Sequence, residues 1–399
     1  MKIGVLFEGS PKKPGGFYQS LQSVSALNEI KNEKFDLEFI CLEKETYNLL
    51  SQKNFKVKIY SSSFYKKIFN FFLYQNFFKN FVVNYKINHP FTNFINKNNY
   101  ELIIFLSPNT LSFHCGKVNF VINIWDLDHK KNSPYPEHRI NYNFFKREEL
   151  INYLIFHSFK IISPEEKTKE ELIRVYQCDK NKIVTQSFIP YLPDIYKKES
   201  DTNFHDIFKK FNFPKKKIIL YPANFWPHKN HKYLIDVAKI MKAEQKNEYL
   251  FIFCGGDSGN LNFIKNEIKK FSLEKYFITL PLVTDLELIS LYLNTHIVVM
   301  PTTGGPTNLP LYEAFFFKKV IFYNCSLLHE KELISNSIGI DIKNPNDFYN
   351  KLIKLQNQDI DLITSGAFEF YKKRCSTEQF KKNYIKTIKE FLESRSQWK

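Results

Sequence analysis

His296-Ile-Val-Val-Met-Pro-Thr-Thr-Gly-Gly-Pro-Thr-Asn-Leu-Pro-Leu-Tyr-Glu313-Ala-Phe-Phe-Phe-Lys-Lys-Val-Ile-Phe322 is the stretch around which the rest of the chain is read. Ile297–Met300 is a short β-rich run, and Pro301–Asn308 is a loop of small and polar residues. Pro310 has a fixed φ and no N–H, which places it in the first turn of a helix. Thr307 or Asn308 just before it can cap that helix. Loop amides and the positive helix end then converge on one point, which suits a phosphate. Glu313, about one turn in, leans back toward the helix start. There it is better suited to accept hydrogen bonds from sugar hydroxyls than to meet a phosphate. Val320-Ile321-Phe322 follows as the next strand of a βαβ unit. The same residues also make an ordinary strand, loop and capped helix with a surface glutamate.

Upstream, Lys217–Tyr221 reads as a strand running into Pro222-Ala-Asn-Phe-Trp-Pro-His228-Lys229-Asn230-His231 and then a helix to about Met241. A lysine between a strand and a helix start can grip a phosphate as a point charge; beside two histidines it can equally be solvated surface. Tyr249–Cys254 is another strand, ending in Gly255-Gly256-Asp257, and Thr284-Asp285 caps a further helix. Lys2–Phe7 reads as a buried first strand, followed by Gly15-Gly16 before a helical pattern. A glycine pair there permits close approach of backbone to a ligand, or forms a plain loop. Further strands are expected at Asp36–Leu42, Phe55–Tyr60, Leu102–Leu106, Val118–Ile124, Phe159–Ser163 and Lys182–Gln186. Trp125-Asp126-Leu127-Asp128-His129 lies just past a strand end, where open α/β sheets place chemistry. Asp126 and His129 are the candidates there; a capped loop with a solvated histidine is the plain alternative. The aromatic run Phe64–Val83 fits either a helix in a membrane interface or a buried core helix.

The opening stretch resembles the donor-site loop of retaining GT-B glycosyltransferases of the family-4 type, E-G-F-G-L-P-L-L-E-A, with two glutamates eight positions apart. Leu309-Pro310-Leu311-Tyr312-Glu313-Ala314 matches its second half, while Gly305 stands where the first glutamate would be. Gly305-Pro306-Thr307-Asn308 is similar to a variant loop of a bacterial subset. His228-Lys229-Asn230 resembles the family's P-x-K-N element, and Trp125–His129 its H-D-L-x-H stretch, with Trp125 in place of histidine. The resemblance implies two Rossmann-like domains facing across a cleft: 1–195 for the acceptor, 205–375 for the donor, and a helix over 376–399 packing back on the first. It implies hexose transfer from a nucleoside diphosphate sugar to a glycan or lipid-linked hydroxyl, with retention, in capsule, O-antigen or lipooligosaccharide synthesis. Implied catalytic residues are Lys229, Glu313, Asp126 and His129. Implied donor contacts are Gly15, Gly16, Asn224, His228, Gly255, Gly305, Thr307, Asn308 and Leu309. No metal and no cofactor are expected, because lysine and amides stabilise the leaving diphosphate.

The chain has 399 residues, enough for two cores. Its net charge of +16 favours polyanions. The basic residues are spread along the whole chain, without zinc-finger or arginine-rich blocks, so an anionic membrane surface is preferred to nucleic acid. Six scattered cysteines fit a reduced compartment. Ile3–Phe7 is too short for a secretory leader, and no apolar run reaches transmembrane length. A cytoplasmic protein, peripheral on the inner membrane face, is expected. A catalytically silent sugar-nucleotide or polysaccharide binder, a basic nucleic-acid-binding protein and a GT-B epimerase remain as rivals.

Overall fold

The computed structural model describes residues 1–9, 16–60, 89–199, 201–305 and 309–397. It falls into two compact units: Met1–Leu127 with Phe145–Ile189 and Thr377–Lys399, and Asp128–Phe144 with Pro190–Ser376. The aromatic run Phe64–Val83 lies outside the described residues.

The first unit holds a seven-stranded parallel sheet in the order β3-β2-β1-β4-β5-β6-β7. Its strands are β1 (Lys2–Phe7), β2 (Asp36–Cys41), β3 (Val57–Ile59), β4 (Leu102–Phe105), β5 (Asn119–Asn123), β6 (Lys160–Ser163) and β7 (Ile183–Thr185). Most of them are short Ile/Val/Phe/Leu runs, with Glu38 interrupting β2 and Lys58 interrupting β3. Such runs form strands because a parallel sheet covered by helices is buried on both faces. Leu102–Phe105 and four residues of β5 are buried.

Helix Thr377–Ser396 closes this unit. Phe380, Tyr384, Thr387, Ile388 and Phe391 recur at helical spacing and form its buried face. Tyr384 donates to Asn123 Oδ1 at 3.1 Å, and Asn123 Nδ2 in turn donates to the Phe105 carbonyl at 2.8 Å. Phe391 meets Phe159 edge-on at 5.2 Å, and Lys160 pairs with Glu390 at 2.9 Å.

The second unit repeats the plan with six parallel strands in the order β10-β9-β8-β11-β12-β13. They are β8 (Lys217–Pro222), β9 (Tyr249–Cys254), β10 (Phe277–Leu280), β11 (Ile297–Met300), β12 (Val320–Asn324) and β13 (Ile338–Ile340). Tyr221, Phe225, Phe251, Phe253, Tyr276, Tyr292 and Phe315 are its large enclosed side chains. Helix Asp285–Asn294 starts in a full capping box between Thr284 and Glu287. The segment Asp128–Phe144 packs with this unit although its neighbours in sequence belong to the first. The continuous first domain expected over 1–195 did not contain that excursion.

Among the described residues, no helix is long and apolar enough to cross a membrane.

Candidate functional site

Strands β8 and β11 are adjacent and parallel, with Ile297 opposite Ile219, yet their chain connections leave in opposite directions: β8 to β9 and β11 to β12. Neighbouring strands whose connections diverge leave a crevice at their carboxyl ends, where doubly wound sheets bind ligands. Two loops meet there: 223–230 after β8, and 301–305 after β11.

Lys229 ends the tight turn Pro227–Lys229, and Asn230 follows with φ 54°, in the left-handed region that asparagine tolerates. Tyr221 Oη donates to the Lys229 carbonyl at 2.6 Å, and Asn230 Nδ2 donates to the Pro301 carbonyl at 3.2 Å. Behind the lysine, His231 is fully enclosed by Tyr221, Phe225 and Phe253. Burial, with the Lys229 charge second, pushes this imidazole down to about 3, so it is a neutral packing group. Lys229 is therefore a cation presented from a backbone fixed on both sides.

The loop after β11 is held from beneath. Thr303 N donates to the His228 carbonyl at 2.8 Å, and Thr302 Oγ1 reaches the same oxygen at 3.2 Å. Asn324 Nδ2 donates to the Thr302 carbonyl at 2.9 Å. Gly305 takes φ +86°, which a side chain rarely adopts. At Gly304 an added Cβ would lie 2.2 Å from Asp128 Oδ1 and 2.4 Å from Asn132 Nδ2. Both glycines are thus required by the backbone and its neighbours.

Those neighbours come from the excursion Asp128–Phe144. Asp128 Oδ1 accepts from Asn132 Nδ2 at 2.6 Å and from the Gly305 amide at 3.3 Å, while Oδ2 lies 3.3 Å from His138 Nε2. Thr303 Oγ1 donates to Tyr135 Oη at 3.0 Å. Glu137 Oε1 is 2.5 Å from His228 Nδ1. Burial, and then the Lys229 charge, hold His228 below its ordinary range, against the opposing pull of Glu137 and Asp128. Sequence reading missed Asp128, Tyr135, Glu137 and His138. The four-residue spacing of Asp128 and Asn132 on a helix was a signal for their mutual bond. The contacts to 228 and 303–305 span some 90 to 180 residues and leave no local trace.

Helix Leu309–Phe316 begins with Leu309 partly exposed and turns Leu311, Glu313, Ala314 and Phe315 inward. Glu313, implied to bind ligand hydroxyls, is buried, and its Oε2 accepts from Tyr292 Oη at 2.8 Å. Burial pushes the Glu313 carboxyl up to about 7.

The remaining candidates are placed as follows. Asn224 Oδ1 accepts from the Gly256 amide at 2.8 Å and so ties the β8 loop to the β9 loop. Gly255 sits where a Cβ would be 2.3 Å from the Ala223 carbonyl oxygen, which makes it a close-packing glycine. In the first unit, Asp126 is ion-paired with Arg147. His129, the other candidate of that stretch, has a fully enclosed ring, with Phe144 at 5.6 Å. Gly16 lies against the Trp125 ring, where a Cβ would come within 3.0 Å. Gly15, Thr307 and Asn308 lie outside the described residues. Among the described residues, no group of three or more His, Cys, Asp or Glu side chains is placed to hold a metal ion.

Residues 203–364, which include both loops, match the sequence family described as Glycosyl transferases group 1. No curated protein matches the chain by sequence. Among solved structures, the Anabaena protein Alr3699/HepE, in complex with UDP and glucose, is similar with a TM-score of 0.71 at 16% identity, covering 98% of this chain and 100% of that one. A glycosyltransferase from Rickettsia africae ESF-5 gives 0.71 at 15% identity, covering 98% of each chain. Sucrose-phosphate synthase from Thermosynechococcus elongatus gives 0.70 at 12% identity, covering 98% and 99%. The fold is that of GT-B glycosyltransferases: two parallel-sheet, Rossmann-like α/β domains.

Proposed function

We propose that the protein is a retaining, family-4-like glycosyltransferase that moves a hexose from a nucleoside diphosphate sugar to a hydroxyl of a glycan or lipid-linked acceptor. The observation that carries this reading is the pairing of Lys229 with the 301–305 loop at the β8/β11 switch point, inside the stretch that matches the family. That the Anabaena neighbour is found with UDP and glucose supports a nucleotide-sugar donor.

In the proposed reaction, the bond between the anomeric carbon and the diphosphate breaks while the acceptor oxygen bonds to that carbon from the same face. The acceptor proton passes to the departing phosphate oxygen. Lys229 and the Gly304 amide stabilise the charge that develops there, and they do so without reorganising. No resident metal is invoked, so transfer is expected to survive EDTA. Glu313 receives the ribose hydroxyls, and Leu309, at the start of its helix, lies beneath the diphosphate. Retention usually invites a carboxylate nucleophile; Gly305 offers none, which favours front-face displacement. Asp126 and His129 support the acceptor side. Surface-polysaccharide synthesis at the inner face of the membrane is proposed from the +16 charge and from Ile140 and Tyr142, which lie exposed beside Arg139.

Thermal unfolding of the full chain with UDP, GDP, ADP, CMP and their sugars tests this. Binding to the folded state raises the melting temperature by mass action. One diphosphate should stabilise selectively, and Lys229→Ala and Glu313→Ala should abolish the shift. Glu313→Ala protein that transfers sugar at the wild-type rate would sink the donor-site assignment. A second reading, a silent sugar-nucleotide binder, is favoured by Gly305; it predicts binding with neither transfer nor donor hydrolysis.

A further inference from the structure

Among the described residues of the loop, 302–305, the Thr303 and Gly305 amides are already bonded to the His228 carbonyl and to Asp128, so beyond its two threonines it offers a ligand the Gly304 amide, which donates. A sugar hydroxyl held firmly also needs an acceptor. Asp128 cannot serve, because both its oxygens are already engaged by Asn132, Gly305 and His138. Glu313, already bonded by Tyr292, is assigned above to the ribose rather than to the hexose.

His228 is placed differently. A carboxylate can only accept, so at 2.5 Å from Glu137 Oε1 the Nδ1 atom carries the hydrogen and donates it. Burial and the Lys229 ammonium hold the ring neutral near pH 7. In a neutral imidazole protonated at Nδ1, the other nitrogen is an acceptor. Nε2 is not among the buried unsatisfied atoms, and it has no partner among the described residues. The His228 carbonyl is bonded by Thr302 and Thr303, which fixes the residue between Lys229 and the glycine loop.

Glu137 itself carries a cost. Its Oε2 is buried with no hydrogen-bond partner. A carboxylate kept for stability alone would not leave one oxygen in that state, and an unsatisfied buried group often marks a functional constraint.

We infer that Glu137 and His228 form a sugar-reading pair: Glu137 is a positioning residue that fixes the tautomer and orientation of His228, and His228 Nε2 accepts a hydrogen bond from a hydroxyl of the nucleotide-bound hexose. This rests on the donor-site reading above and adds to it which part of the donor the pair contacts.

The test is calorimetric titration of the full chain with UDP and UDP-glucose, and with GDP and GDP-mannose. Replacing His228 or Glu137 by alanine should weaken the nucleotide sugar about five- to tenfold relative to its free diphosphate, the worth of one neutral hydrogen bond. Affinity for the free diphosphate should hold, which also shows that the variants fold. Glu137→Gln keeps an acceptor for Nδ1–H and should keep the wild-type ratio of the two affinities. If diphosphate and nucleotide sugar weaken together, the pair serves the phosphate or the fold, and the inference is overturned. Unchanged affinities in both alanine variants overturn it as well. If the wild type binds none of the four probes, the donor-site reading itself has failed, which is a different result.

Discussion

Tyr292 donates its phenolic hydrogen to Glu313 Oε2 at 2.8 Å, and both side chains are buried in the second unit. The bond opposes, without cancelling, the effect of burial, and Asp285 adds to that effect, so Glu313 keeps its proton up to about 7 against an ordinary 4.5. The folded state therefore binds this proton more readily than the unfolded chain. The stabilisation is fully present below pH 4.5 and is lost as pH rises through about 7. Its size is up to about 3 kcal/mol. Chemical denaturation at a series of pH values should show Glu313→Gln gaining on the wild type between pH 4.5 and 7, with the gap levelling off above. Parallel curves would show that Glu313 does not ionise in this window.

Gly304 and Asp128 should behave as a coupled pair. Gly304→Ala forces a methyl group onto the Asp128 carboxylate and should cost about 1–3 kcal/mol by overpacking. In an Asp128→Ala background the same change should cost clearly less, because the obstructing atoms are gone. A double-mutant cycle by urea denaturation reads the coupling. Simple additivity would mean that the loop moves away from Asp128 freely.

Placing a glutamate at position 305 should not improve the proposed transfer. Gly305 holds φ +86°, and a side chain in left-handed backbone costs about 1–2 kcal/mol. Gly305→Glu is expected to lower the melting temperature and to leave transfer no faster. A faster variant would show that the loop readily abandons this conformation.

The C-terminal helix should report on the first unit alone. Tyr384→Phe leaves the buried Asn123 Oδ1 without its donor, a loss of about 1–3 kcal/mol. Diphosphate affinity, measured by titration at a temperature where the variant is folded, should not change. A parallel loss of affinity would tie this helix to the ligand site.

Much of this was legible before the fold was known. The apolar runs at Lys2–Phe7, Tyr249–Cys254 and Ile297–Met300 became parallel strands at those residues. Buried parallel strands are continuous in hydrophobicity, so their sequence carries the signal directly. Pro310 fell in the first turn of its helix, and Thr284 capped the next one upstream, because capping is a matter of neighbours within four residues. Lys229 was legible for the same reason: strand, turn and helix start follow one another locally.

Asp128, Tyr135 and Glu137 were not legible in this way. The same short stretch presents Asp126 and His129 as candidates, whereas the fold pairs Asp126 with Arg147 and encloses His129. What the sequence by itself determined is most of the strands, though not Phe277–Leu280 or Ile338–Ile340, with the capped helix at Thr284 and the lysine between strand and helix start, all of which follow from local periodicity and backbone chemistry. What only the tertiary structure decided is which carboxylates reach that switch point. Asp128 meets Gly305, and Glu137 meets His228, because the excursion 128–144 packs with the second sheet. Hydrogen bonds act over about 3 Å and are indifferent to distance along the chain, so only the packing of the folded chain could bring those side chains to the loop.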